Sequence, residues 1–254
     1  MDVVTQTAQQ AFWSIPPLTG ESYTELLKRL HETFKPLNYL EIGVSTGATL
    51  ALAHCDSIGI DPAFAITKLN LNGKPSCQLF QMGSDEFFKS RDPEALLGGR
   101  IDMAFLDGMH WYEFLLRDFI NTEAHCKPNS IILLHDCLPL DDYVGRRDRG
   151  DESLKPCTSR PAWWAGDVWK TAAILHRYRP DLKIAVFDAV PTGLIAITRL
   201  NPESRVLRER YTELVDMYQN YTLATHGAEY LASMQILKTQ DYATHSALST
   251  LFWL

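Results

Sequence analysis

Asp107 and Asp136 close two apolar runs, "IDMAFLD" and "SIILLHD", and His110 follows the first acid by three residues in "FLDGMH". If these runs are neighbouring strands, the two acids leave backbones about 5 Å apart. Carboxylates that close repel unless something positive lies between them. A divalent cation with all-oxygen ligands, Mg²⁺ or Mn²⁺, would meet that need. Such a cation lowers the pKa of a bound hydroxyl and orients neighbouring oxygens. The hydroxyl proton still needs an acceptor, and an imidazole suits general-base work near neutral pH. The expected catalytic residues are therefore His110 and Asp107, with Asp107 and Asp136 as metal ligands. His31, His54, His125, His176, His226 and His245 share no spacing with acids and read as surface or satisfied core residues.

A second constellation lies in "YLEIGVSTGATL", residues 39–50. A strand that feeds a glycine-rich turn and a helix points backbone N–H groups at a ligand. The dinucleotide fingerprint needs a middle glycine for the pyrophosphate. Here Gly43 and Gly47 flank Val44, Ser45 and Thr46, so a diphosphate would be crowded. Glu41 would repel a phosphate and attract an ammonium or sulfonium. Asp61, ending "SIGIDP", can accept hydrogen bonds from ribose hydroxyls. An adenosine with positive charge and no phosphate, as in S-adenosylmethionine (SAM), fits these groups.

The stretches "EIGVSTG", "GIDP", "GSDEFF", "FLDGMHWYEFLLRDF" and "LLHD" resemble, in order and spacing, the motifs of class I SAM-dependent O-methyltransferases. The resemblance runs from about Tyr39 to Leu200. It points to the macrolide-sugar branch, with catechol O-methyltransferase more distant. It implies that Glu41, Gly43 and Gly47 line the methionine part of SAM, that Asp61 holds the ribose, and that Ser84 and Asp85 sit beside the adenine. It also implies Asp107 as metal ligand, His110 as base and Asp136 as a metal-binding acid. Two positions depart from the pattern. His135 stands where the macrolide-sugar branch has a glutamate, and Cys137 where the catechol enzymes have an asparagine. Without a metal, Asp107 would orient the SAM amino group or His110. Plainer readings remain open: a structural acid at Glu41, a tight turn at Gly47, and a helix N-cap at Ser84. The implied activity is methyl transfer to a hydroxyl of a sugar or another polyhydroxylated natural product. The alternatives are a metal-free transfer to nitrogen or a carboxylate, and a SAM-binding protein without catalysis.

These residues need a scaffold that brings strand ends together. Apolar runs alternate with helical patterns, which predicts a parallel sheet covered on both faces. A helix is expected over 20–34, with Leu26, Leu27, Leu30 and Phe34 on one face and Glu21 or Ser22 as cap. "TLALAHC" is expected as a short helix, and a longer one follows Trp111. "LKIAVFD" and "LIAITRL", joined by "VPTG", must pair antiparallel. The fold class is thus α/β: a doubly wound, mostly parallel, seven-stranded Rossmann-like sheet ending in an antiparallel hairpin. It is expected as one domain over 1–254, with a helical N-terminal addition over 1–36, a lid loop over 138–162 and C-terminal helices over 202–254. In the tail, Val206, Tyr211, Leu214 and Met217 are roughly in phase. The final "LSTLFWL" either docks on the chain's own core or builds a homo-oligomer contact.

The acceptor pocket is the least legible part. "RPAWWAGDVWK" concentrates Trp163, Trp164 and Trp169, and a helix is expected from Trp164. Trp111, Tyr112 and Trp163 are candidate wall residues, with Trp169 read as core. Asp167 either binds a substrate hydroxyl or caps its helix. The chain has 254 residues, a net charge of -7 and no long basic run, which argues against nucleic acid as partner. Its five cysteines show no CxxC pair, so neither a disulfide framework nor a zinc knuckle is expected. No apolar run suits a membrane helix and "MDVVTQTAQQ" is no signal peptide, so a cytoplasmic protein is the expectation.

Overall fold

The computed structural model describes residues 12–71 and 73–252; the "MDVVTQTAQQ" segment and the last two residues of "LSTLFWL" lie outside them. The first helix, α1 (Tyr23–Phe34), starts where the Ser22 hydroxyl accepts from the Glu25 N–H, and buries Leu26, Leu27, Leu30 and His31. The chain then lays down β1 (Asn38–Ile42), β2 (Asp56–Ile60), β3 (Cys77–Phe80), α2 (Ser84–Ser90), α3 (Pro93–Leu97), β4 (Ile101–Leu106), α4 (Tyr112–Ala124) and β5 (Cys126–His135). A long loop leads to α5 (Trp169–Tyr178) and the hairpin β6 (Lys183–Phe187) and β7 (Leu194–Thr198). The tail holds α6 (Val206–Glu209), α7 (Tyr211–Tyr218), α8 (Leu223–Ser233), β8 (Ile236–Leu237) and α9 (His245–Ser249).

Among the described residues the strands form one eight-stranded sheet in the order β3-β2-β1-β4-β5-β7-β6-β8. The eighth strand, absent from the seven-stranded expectation, is the two-residue β8, which pairs parallel to β6 at the sheet edge. The period-2 alternation of side chains feeds two cores. Leu40, Ile42, Ala104, Leu106, Ile132 and Leu134 face the helices α4 and α5. Tyr39, Met103, Phe105, Ile131 and Leu133 face α1 and the C-terminal Leu248 and Phe252. Both faces are buried, which is why the strands are apolar throughout. Phe252 packs edge-on against Phe34, so the described part of the apolar terminus docks on its own core.

Three local expectations change. "TLALAHC" is not a helix but a single 3-10 turn over Leu50–Leu52. The connection 43–55 must cross to the parallel neighbour β2, and little chain is left for helix after the glycine turn. The helix expected from Trp164 begins at Trp169, because Gly166 adopts φ +68 and breaks the register. In the tail, Leu207, Leu214 and Tyr218 are buried while Val206 and Met217 are exposed, since the break between α6 and α7 resets the helical phase. The first part of the loop over 138–162 is anchored, with Leu138, Leu140, Tyr143 and Val144 buried, while residues 147–157 are exposed.

Candidate active site

In a doubly wound sheet the strand order reverses at one point, and ligands bind there, outside the carboxyl ends of the strands. Here that point is between β1 and β4. A cavity of about 580 Å³ opens at it, and its walls include Gly43, Ser45, Asp61, Ser84, Asp85, Asp107 and His110. The two halves of the expected site, which are far apart in sequence, therefore share one cavity. Gly43 makes the approach of its walls possible. Its φ is +88, and a Cβ there would lie 2.0 Å from the Asp107 carbonyl oxygen. The Asp61 carboxylate accepts from the N–H groups of Ser45 and Ala63, both at 2.7 Å, so it shapes the glycine turn as well as facing the cavity.

Two residues expected on the methionine part lie off the cavity wall. Glu41 is fully buried on the α1 side of β1, where the Tyr39 and Thr49 hydroxyls both donate to its carboxylate at 2.7 Å. Strand alternation turns it away from the ligand face. Burial pushes its pKa up to about 8, against the opposing pull of those hydroxyl bonds. Gly47 sits in the turn with φ +80 against Leu69. Ser84 is the first residue of α2, and Gly83 is the N-cap, with no side-chain bond. Asp85 lines the cavity and pairs with Arg117 at 2.8 Å. Behind Ser84 lies Asp118, unremarked in the sequence, its carboxyl raised to about 7 by burial.

At the other end of the cavity the register decides the chemistry. Leu106 pairs with Leu134, so the neighbour of Asp107 across the sheet is His135, with Asp136 one residue beyond. His135 Nδ1 lies 3.3 Å from Asp107 Oδ1 and 3.5 Å from Asp136 Oδ1. His110 contributes from the turn before α4, with Nε2 3.5 Å from Asp107 Oδ1 and Nδ1 3.3 Å from Asp136 Oδ2. Two carboxylates and two imidazoles thus form a closed cluster. Burial disfavours charge on His135, but the facing Asp107 and Asp136 outweigh it and raise its pKa to about 9. Burial likewise opposes the shift at Asp107, whose carboxyl His135 and His110 hold well below the usual range. Asp136 is raised, chiefly by burial, and His110 is raised by its two carboxylate neighbours against burial. Asp136 adopts φ 61, a left-handed conformation that few non-glycine residues hold, and Thr192 donates to its Oδ1.

Asp107, His110 and Asp136 offer ligand atoms that all lie within 4.8 Å of one another. Asp107 and Asp136 are the two acids expected from sequence to hold Mg²⁺ or Mn²⁺. The third group beside the two expected acids is the His110 imidazole, and Cys137 turns its thiol toward the carbonyls of His135 and Val168. Two carboxylates with water completing the shell are a set that a hard cation can use.

The segment leading into α5 packs against His110. Trp164 stacks on the His110 ring at 4.8 Å and 17°. Gly166 packs so tightly that a Cβ would lie 1.9 Å from the His110 carbonyl oxygen. The expected wall residues behave differently. Tyr112 is buried and its hydroxyl donates to the Val215 carbonyl, so it is no wall of this cavity. Asp167 is also buried; it accepts from the Tyr112 N–H at the start of α4 and pairs with Lys170 and Arg147. It neither faces the cavity nor caps its own helix. Trp111 donates its indole N–H to the Arg147 carbonyl, and Trp163 is exposed on the lid away from the cavity. Trp169 is core, as expected. Sequence reasoning missed His135 as a site residue, along with Thr192 and Tyr23, whose ring lies 4.0 Å from that of His135. His135 stood next to a chosen acid; Tyr23 and Thr192 carry no local signal. His31, taken as surface or satisfied core, is buried with both ring nitrogens unpartnered among the described residues.

Residues 40–137 match a family model described as a methyltransferase domain. That span contains Gly43, Asp61, Ser84, Asp107, His110 and Asp136. The sheet, with its parallel core and antiparallel hairpin, has a Rossmann-like arrangement. No curated protein matches the sequence. Among solved structures the chain is similar to an SAH-bound methyltransferase of Podospora anserina, with 15% identity, a TM-score of 0.49, and 69% of this chain and 76% of that one covered. It is similar to an O-methyltransferase of Streptomyces achromogenes involved in tomaymycin synthesis, in complex with SAM, with 14% identity, a TM-score of 0.48, and coverage of 70% and 79%. It is also similar to an O-methyltransferase of Bacillus cereus in complex with SAH, with 14% identity, a TM-score of 0.45, and coverage of 68% and 79%. No helix among the described residues is long and apolar enough to cross a membrane.

Proposed function

We propose that this chain, whose residues 40–137 match a methyltransferase domain, transfers the methyl group of SAM to a hydroxyl of a small molecule. One observation carries the reading: a single cavity joins Gly43, Asp61 and Ser84 to Asp107 and His110. The first group suits a nucleoside without phosphates, and the second suits removal of a proton. In the reaction the acceptor oxygen attacks the methyl carbon in line, a C–O bond forms and the C–S bond breaks. The sulfonium becomes a neutral thioether, and the hydroxyl proton passes to His110. Trp164 and Gly166 hold that imidazole in place from the lid side. Asp107 lies beside Nε2 of that ring, while Nδ1 has no hydrogen-bond partner among the described residues. The acceptor class, a sugar or another polyhydroxylated natural product, rests on the motif resemblance. Asp107 and Asp136 would hold a divalent cation, which would lower the pKa of the acceptor hydroxyl, and no step is routed through it.

The test is transfer from radiolabelled SAM to a panel of hydroxylated acceptors, alongside calorimetry with SAM. His110→Gln should retain SAM binding and lose transfer by about 100-fold or more, the scale of general-base catalysis. Full transfer in that variant would remove His110 as base. Absence of SAM binding in the wild type would remove the whole reading.

A further inference from the structure

We propose that Arg117 is a positioning residue for the cofactor: its guanidinium fixes Asp85 and Phe114 as walls of the cavity, and Tyr211 from the C-terminal helices holds it there. This rests on the methyltransferase reading and concerns the same cavity. Asp85 and Phe114 both line that cavity, and Arg117 on α4 lies off its wall. The Arg117 Nε donates to Asp85 Oδ1 at 2.9 Å and its Nη2 to Asp85 Oδ2 at 2.8 Å, so the carboxylate is gripped by both oxygens. Such a fork fixes direction as well as distance. The same guanidinium lies 4.3 Å from the centre of the Phe114 ring, one turn back along the helix. Its remaining nitrogen, Nη1, donates to the Tyr211 hydroxyl, which in turn donates to the Glu113 carbonyl at 3.0 Å. Tyr211 opens α7, so the tail is tied to α4 and, through Arg117, to the first turn of α2. The Arg117 and Asp85 side chains are 29% and 48% exposed, and an ion pair that exposed adds little to stability. Its effect on order is larger. Without the guanidinium, Asp85 and Phe114 are free to take other rotamers, and a ligand in the cavity must order both on binding.

The test is calorimetry of the full chain with S-adenosylhomocysteine (SAH), paired with thermal melting. Arg117→Gln should weaken SAH binding by about 10-fold, the cost of ordering two freed side chains. Its melting temperature should stay within about 5 °C of wild type, as expected for the loss of an exposed pair. Arg117→Lys keeps the charge but has neither the fork nor the flat face, and should remain at least about fivefold weaker than wild type. Adding Asp85→Asn to Arg117→Gln should weaken SAH by no more than about twofold beyond the weaker single variant, because both act through one contact. The proposal is overturned if folded Arg117→Gln binds SAH within about threefold of wild type, or if its melting temperature falls by more than about 5 °C. It is also overturned if Arg117→Lys restores wild-type affinity, or if the losses in the double variant multiply. Should Arg117→Gln fail to fold, Tyr211→Phe removes the partner of Nη1 and should weaken SAH by at least about threefold; unchanged affinity overturns the proposal. Absence of SAH binding by the wild type would instead sink the methyltransferase reading itself, so the two failures are distinguishable.

Discussion

Glu41→Gln tests the placement of the motif acid against its expected role beside the cofactor. Glu41 is fully buried among Tyr39, Thr49 and the α1 side of the sheet, with its pKa raised from 4.5 to about 8. The folded chain therefore keeps its proton to higher pH than the unfolded chain does. The stabilisation from the protonated form is fully present below about pH 4.5 and is lost as pH rises through about 8. Over the whole window the two values are worth of order 5 kcal/mol, and between pH 6 and 8 about 2 kcal/mol. Glutamine has nearly the shape of the protonated acid and cannot ionise. Urea unfolding of the wild type and Glu41→Gln from pH 5 to 8.5 should give curves that run together at the acid end. They should diverge toward alkali, with the variant gaining about 2 kcal/mol relative to wild type between pH 6 and 8. SAM affinity of the variant should stay within about threefold of wild type, because Glu41 is off the cavity wall. Parallel pH curves would refute the buried-proton argument. A large loss of SAM affinity in a variant of unchanged stability would refute the placement.

Three further outcomes are expected. His31, whose pKa burial lowers to about 3, stays neutral in the fold while the unfolded chain protonates below about 6.5, so the wild type should lose about 2 kcal/mol from this group between pH 7 and 5, and His31→Leu should flatten that acid limb in urea titrations. Gly43→Ala puts a Cβ 2.0 Å from the Asp107 carbonyl oxygen at a φ of +88, so Asp107 must move; methyl transfer should fall by roughly 100-fold, with SAM binding weakened in calorimetry. Arg179 is 2% exposed and makes two bonds to the buried Glu123, at 2.6 and 2.8 Å; Arg179→Ala leaves that carboxylate unpaired and should cost about 3–5 kcal/mol in urea unfolding.

Much of the site was legible because it is built from short local patterns. Asp61, Asp107 and Asp136 each end a strand, and the pattern of apolar runs locates strand ends without any knowledge of partners. The same alternation announced the parallel core and the antiparallel hairpin of β6 and β7. The strand of Glu41 was legible, but not that its side chain lies off the cavity wall. Which face of β1 meets the ligand depends on what packs on each side, and α1 takes the Glu41 side. The helix expected at "TLALAHC" failed for a similar reason, since the reach of the connection to β2 overrode local propensity. Asp167 and Tyr112 are polar and aromatic residues near the base in sequence, yet their partners, Lys170 and Val215, are set by the packing of α5 and α7.

Residue order alone therefore determined the sheet, the glycine turn, and the acids and histidine that end up around one cavity. The tertiary structure decided which side chains gather around Asp107 and Asp136. A pair of strand-end acids requires a positive neighbour whatever the register, and that much follows from charge. One cross-strand pairing, Leu106 with Leu134, brings His135 level with Asp107 and adds an imidazole to the cluster. Strand register is fixed by the packing of whole faces, not by the residues at the strand's end, so no local motif could announce it.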